Sequence, residues 1–419
     1  MQWRHYASQQ HAVQLCRTPG TQTPAQLAAT LWALAKKRAS EPNYIGRALQ
    51  ECDQRILEFT NNELQCVLWA VGTLEPSNRP LVRSLSWSIV RRNRQHQRAP
   101  HCFGNMYWVL AITGCLQGEL AYALTDSVAK SVRTLRDRDV AGVTWACAVS
   151  QLERPSLMKA MTTQWIRTIF EFSSRHLANT AWALTKVAAP WHTEMGVANR
   201  FWAAVTGQLE QLQPKEFASL MWSAARSLVT LPEGNQRRRI INRPMALAAD
   251  QRLGAQEMTN LVWSFAQLSF LQGNDRDPLC EHMFGEAARR FGSLAPRHIT
   301  NLLWASAVVR AHHSPFLLLA KQAIAEQGDM LNTLELVNVA WAFAKLSSLD
   351  ADKWVPLCHL RGRLGELTGQ GLANVLWAMA AALVSVEQMR WEDDALLESI
   401  QRSVGIFKPQ ESFQMQPGL

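Results

Sequence analysis

One phrase recurs along this chain and limits what it can fold into. Asn374-Val375-Leu376-Trp377-Ala378-Met379-Ala380 returns as Asn338-Val339-Ala340-Trp341-Ala342-Phe343-Ala344, and again around Trp304, Trp263 and Trp182. Looser copies centre on Trp32, Trp69, Trp108, Trp145 and Trp222, so ten tryptophans stand in one register. Their spacings are 37, 39, 37, 37, 40, 41, 41, 37 and 36 residues. Self-similarity at such a period marks stacked helical hairpins, because one hairpin cannot bury its apolar face alone. The predicted fold is all-α: an α-α superhelix (solenoid) of about ten helical-hairpin repeats with a period near 38 residues.

Within each repeat the tryptophan sits on a first helix, A. Five residues before it stands an apolar residue in every copy, from Leu27 and Leu64 to Leu336 and Leu372. One and three residues after it the side chain is small in nearly every copy, as at Ala183, Ala305, Ala307 and Ala342. That spacing suits one buried helical face. The small residues let the next helix come close, and the indole is expected to fill the space between repeats. A second amphipathic helix, B, is expected over Met158–Phe170, Val197–Leu209, Phe316–Glu326 and Leu357–Leu367. Pro, Gly and Asn clusters mark the connections. Gly104, Gly114 and Gly142 are expected to weaken the helices of repeats three and four.

The solenoid is expected over 25–390, preceded by an arm over 1–24 and followed by a capping helix and polar tail over 391–419. No acidic residue occurs before Glu41, while Arg4 and Arg17 do, so the opening reads as an organellar transit-like segment or as a short arm. The longest apolar run, Val375–Val386, is too short for a membrane span of ~20 residues. The eight cysteines form no C-x-x-C pair, and neither a disulfide framework nor a metal site is expected.

The net charge of +9, carried mostly by arginine, points to a polyanion, most simply nucleic acid. The densest basic run holds Arg91, Arg92, Arg94 and Arg98; Arg237, Arg238 and Arg239 with Arg243 form a second, in what reads as an insertion after Trp222. Both suit phosphates, although a helix end rich in cations is also an ordinary solvated feature. Seven residues before the tryptophan come Arg138, Arg175, Lys215, Gln256 and Arg297; four after it come Lys36, Lys186, Arg226, Gln267 and Lys345. With the residue three before it, these fall on one helical stripe. A basic stripe repeated along a solenoid suits a single-stranded RNA, and it equally suits a plain solvated face.

The residue three before the tryptophan is Asn105, Asn179, Asn260, Asn301, Asn338 or Asn374 in six of the ten repeats. Asparagine opposes helix propensity and needs a reason. Either the amides form a hydrogen-bonded ladder between repeats, or they read base edges. The ladder is favoured, since an invariant residue cannot encode varying bases. No catalytic motif occurs, the His312-His313 pair reads as solvent-exposed, and no cofactor or enzyme activity is expected.

The phrase N-x-x-W-A-x-A-x-L at this period resembles the octotricopeptide repeat proteins of algal organelles and related repeats in FAST-kinase-like organellar RNA-binding proteins. The match runs from about Ala25 to Arg390. It lacks the proline-rich P-P-P-E-W segment, and nothing after Trp391 is similar to a RAP domain. The resemblance implies an α-solenoid that binds organellar RNA, in the mitochondrion before the chloroplast. A scaffold without a catalytic appendage suits an accessory ribosomal protein that stabilises rRNA segments within a ribonucleoprotein. The alternatives are an organellar mRNA stability, splicing or translation factor, and a protein–protein scaffold without RNA.

Overall fold

The computed structural model describes residues 22–38, 41–96, 103–193, 196–249, 252–268, 276–346, 359–360 and 362–382. The expected N-terminal arm lies outside these, apart from Gln22–Pro24, and the C-terminal cap and tail lie wholly outside them. Among the described residues there are eighteen α-helices and no strand, which is the helical-repeat solenoid class that the period predicts.

The A helices are α1 (Pro24–Lys37), α3 (Asn61–Leu74), α5 (Phe103–Ile112), α7 (Asp137–Val149), α9 (Ser174–Lys186), α11 (Pro214–Arg226), α13 (Ala255–Gln267), α15 (Pro296–Val309), α17 (Thr333–Leu346) and α18 (Gly369–Ala382). The B helices between them are α2 (Pro42–Gln54), α4 (Arg79–His96), α6 (Gly118–Ser131), α8 (Pro155–Thr168), α10 (Val197–Gly207), α12 (Gly234–Ala249), α14 (Arg276–Arg289) and α16 (Ser314–Gln327). The chain forms two compact units, Met1–Ala204 and Val205–Leu419. In the first, α1, α3, α5, α7 and α9 pack in sequence, and so do α2, α4, α6 and α8. In the second, α11, α13, α15, α17 and α18 pack in sequence, with α12, α14 and α16 as the other layer.

The A helices are built alike because the same positions do the same work. The apolar residue five before the tryptophan is buried in all ten repeats. The small residues after it are buried in nearly all, and they set how closely A helices approach. Between α5 and α7 the approach is close: a Cβ on Gly142 would stand 2.5 Å from the Gly104 Cα. Gly104 and Gly142 are therefore the contact that seats one helix on the other, not weak points in it. The Gly104 N–H also donates to the buried Asp139 carboxylate at 3.0 Å.

Several A helices are capped at one or both ends. Thr23 with Gln26 and Thr60 with Glu63 close reciprocal capping boxes, and Asn332 with Glu335 does the same. At the other end, the sixth residue after the tryptophan is left-handed at Arg38, Gly114, Gln151, Ala188, Leu228 and Arg310. There the chain turns back in a Schellman pattern: Leu228 N donates to Ala225 O at 3.2 Å and Val229 N to Ala224 O at 3.0 Å. Only one of the six is glycine, so the sequence carried no stop signal at most of these turns.

Two expectations are corrected. Arg237, Arg238, Arg239 and Arg243 are not in an inserted loop; they lie on α12, the regular B helix of their repeat. The helix expected over Leu357–Leu367 is not α-helical where it is described: Gly362 takes φ 79° and Leu364–Glu366 is a single 3-10 turn. A left-handed residue cannot continue an α-helix.

Candidate nucleic-acid interface

The A helices share one narrow stripe that is only partly covered in most repeats. On α9 the residues Arg175 and Lys186 are exposed, Asn179 and Trp182 are half-buried, and the residues between Asn179 and Lys186 are otherwise buried. These positions step by four, three and four residues, which returns to the same side of a helix. The stripe therefore contains the tryptophan itself, with Asn one turn before it and the two polar ends beyond. Over all ten repeats the stripe carries eight cations, Lys36, Arg138, Arg175, Lys186, Lys215, Arg226, Arg297 and Lys345, and no Asp or Glu. Four fall in each unit.

The sequence placed the indoles inside, between repeats. They do pair between neighbours, with ring centroids 6.3 Å apart for Trp32–Trp69, 6.0 Å for Trp263–Trp304 and 6.3 Å for Trp341–Trp377. Their burial differs along the chain. Trp32, Trp69, Trp108, Trp145 and Trp182 are half-buried, and Trp377 is 40% exposed, whereas Trp222, Trp263, Trp304 and Trp341 are buried. Two stripe cations lie over these rings: Lys36 Nζ is 5.0 Å from the Trp32 centroid, and Lys345 Nζ is 5.9 Å from that of Trp377. The tightest aromatic packing is elsewhere, where Trp165, Trp191, Phe201 and Trp202 form a fully buried cluster in the first unit.

Acidic residues come close to the stripe in sequence but serve the helix ends. Glu63, Glu216 and Glu335 stand one position beyond it and accept from the backbone N–H groups of Thr60, Gln213 and Asn332. Asp139, at the same position, is buried, and desolvation holds its carboxyl above the usual range despite the Gly104 bond. His176 pairs with Asp137 at 2.6 Å. Partial burial pushes the Asp137 carboxyl up, but the hydrogen bonds from His176 and from backbone N–H groups together hold it below its ordinary value.

The basic runs divide. Arg91 is exposed on α4, and Arg238 and Arg239 are exposed on α12, all on the B layer and not on the A stripe. Arg237, half-buried, shares α12. Arg94 lies within α4, while Arg98 falls outside the described residues. Arg92 points inward. It donates to the Phe59, Ile56 and Leu57 carbonyls of the preceding repeat, the last at 3.0 Å. Arg243 does likewise, donating to Glu210 O and Leu212 O, both at 3.3 Å, and to the Glu210 carboxylate at 3.0 Å.

This back-reach recurs. Arg55 donates to Gln22 O at 2.9 Å, Arg167 to Arg133 O at 2.8 Å, Arg200 to Ile166 O at 3.1 Å, Arg290 to Leu253 O at 2.5 Å and Arg363 to Leu331 O at 2.6 Å. Each acceptor lies 32 to 37 residues earlier; apart from Gln22, which stands just before α1, each lies near the end of the preceding B segment. Arginines are thus the recurring coupling between repeats in the B layer, beside single bonds such as Gln164 Nε2 to Leu135 O at 3.2 Å. The spacing of these arginines, near that of the tryptophans, was the available signal.

The asparagines show bonds along their own helix. Gln256 Nε2 donates to Asn260 Oδ1 at 2.8 Å, and Gln370 Nε2 to Asn374 Oδ1 at 3.0 Å. Asn338 is buried, and its Oδ1 has no partner among the described residues. Asn105, Asn179 and Asn301 are half-buried on the stripe.

Among the described residues no group of His, Cys, Asp or Glu could hold a metal, and no helix is long and apolar enough to cross a membrane. Cys52 and Cys147 are buried, which pushes both thiols up to about 12. His312 is exposed, but His313 is not: it is buried, accepts from Phe316 N at 3.2 Å and caps α16. No protein-family model matches the chain, and no curated protein matches it.

Proposed function

We propose that this protein is a non-catalytic RNA-binding scaffold whose single-stranded ligand follows the A-helix stripe. One observation carries the reading: the stripe holds eight cations and no acid, with a tryptophan that is half-buried or exposed in six of the ten repeats. An unpaired strand needs that combination, cations for its phosphates and aromatic rings for its bases. The B-layer arginines add less than their number suggests, because Arg55, Arg92, Arg167, Arg200, Arg243, Arg290 and Arg363 hold backbone carbonyls. The shared phrase and period with octotricopeptide repeats support an organellar setting. An array whose described residues hold no metal-ligating cluster suits an accessory mitochondrial ribosomal protein that stabilises rRNA segments.

Ultraviolet crosslinking of the native protein in extract, with sedimentation, tests this. Crosslinked peptides from the A helices, and rRNA reads in a ribosomal peak, are expected. Reads confined to a few mRNAs in a light fraction would replace the ribosomal reading with that of an mRNA factor. Recovery of proteins without RNA would end the RNA reading.

A further inference from the structure

Between repeats seven and eight a relay of polar side chains is anchored on a backbone donor, and the anchor fixes its polarity. Ala295 N–H donates to His298 Nδ1 at 3.1 Å. A backbone N–H can only donate, so Nδ1 is the bare ring nitrogen and Nε2 carries the hydrogen. Burial holds the His298 pKa below the usual histidine value, with Arg297 acting in the same direction and Glu257 against it, which keeps the ring neutral. Nε2 lies 3.1 Å from Gln256 Oε1, which accepts. Gln256 Nε2 then donates to Asn260 Oδ1 at 2.8 Å. Turning Gln256 over would set its amide hydrogens against the imidazole N–H.

The carbonyl of Asn260 is therefore used inside the relay. Its Nδ2 donates to nothing among the described residues, and it is what the half-buried Asn260 has left to offer a ligand. The stripe of repeat seven ends in uncharged amides on both sides, Gln256 and Gln267, while repeats six and eight carry Lys215, Arg226 and Arg297. Phosphates settle on the cations, which leaves repeat seven for a base.

We propose that repeat seven reads a base through its exocyclic carbonyl, with Asn260 Nδ2 as the donor and His298 as the positioning residue that keeps that donor outward. This rests on the RNA-binding reading above. That oxygen is uracil O4 or guanine O6; cytosine and adenine carry an amino group at that position, so a base seated with that edge toward Asn260 sets one donor against another.

The test uses the full chain with labelled oligouridine and oligocytidine of equal length at one salt concentration. Wild type is expected to hold oligouridine more tightly by roughly two- to tenfold, the worth of one hydrogen bond. His298→Gln can accept from Ala295 N–H and donate to Gln256, so it keeps the preference. His298→Glu caps the helix as Glu63 and Glu216 do at the same position, but its carboxylate can only accept. Gln256 and Asn260 must then both turn over, Asn260 presents Oδ1, and the preference is expected to reverse toward oligocytidine. The added charge lowers both affinities, so the ratio is the readout. Equal wild-type affinity for the two oligomers, or an unchanged ratio in His298→Glu, overturns this inference and leaves the RNA-binding reading standing. Failure of wild type to bind either oligomer overturns both.

Discussion

Arg363 reaches back 32 residues and donates from Nη1 to the carbonyl oxygen of Leu331 at 2.6 Å. A second nitrogen of the same guanidinium takes Asp329 O at 3.0 Å. The carbonyls at the end of a helical segment have no partner within it, and a planar fork of donors can satisfy two at once. The relation returns in both units and ties several B segments to the one before. It also explains in part why the cations of this chain are arginines: a lysine ammonium has three donors at one point and no fork.

Arg243 is the most enclosed of these clamps, 9% exposed. Arg243→Lys keeps the charge and loses the double reach to Glu210 O and Leu212 O. A loss of about 1–3 kcal/mol is expected, read as a lower urea midpoint. RNA affinity well below the melting range should not change, since Arg243 is off the stripe. An unaltered midpoint would show that the clamp is incidental.

The Gly104–Gly142 crossing makes a steric prediction with an internal control. A Cβ at Gly142 would meet the Gly104 Cα at 2.5 Å and its carbonyl oxygen at 2.8 Å, and backbone cannot step aside. Gly142→Ala should cost about 1–3 kcal/mol by calorimetry or urea. Gly46, inside α2, has nothing within 4 Å of its would-be Cβ. Gly46→Ala should gain up to about 1 kcal/mol through helix propensity.

Leu228 is left-handed at φ 51° and 54% exposed, so its side chain brings strain and little packing. Leu228→Gly should raise stability by about 1 kcal/mol, measured as a shift in thermal midpoint. A drop in the midpoint would mean that the exposed leucine makes an interaction worth more than the strain.

The register of the repeats was legible because it rests on side-chain type: an apolar residue such as Leu177, the indole of Trp182 and a small residue such as Ala183 recur at fixed steps. The cationic ends of the stripe, Arg175 and Lys186, were legible for the same reason. The clamps were not, because the partners of Arg92 and Arg243 are backbone carbonyls, which every residue has, so a basic run on a B helix looked like a phosphate site. The place of Trp182 was half legible. Stepping seven residues from Arg175 puts it on the polar stripe, but its chemistry suggested the interior. Gly142 looked like a weakness because propensity was weighed without the neighbour, Gly104, that needs the space.

The most direct test of the central claim is the salt dependence of single-stranded RNA binding. Each cation that no longer neutralises a phosphate of the single strand should lower the slope of log affinity against log salt by about 0.7. Arg175, Lys186, Lys215 and Arg226, all changed to Gln, should flatten the wild-type slope by roughly 3 on that basis. Arg83, Arg91, Arg133 and Arg238 are exposed and off the A stripe. Their replacement by Gln removes the same charge and should leave most of the slope in place. Equal flattening in both variants would contradict the account, because binding would then follow net charge and not the stripe.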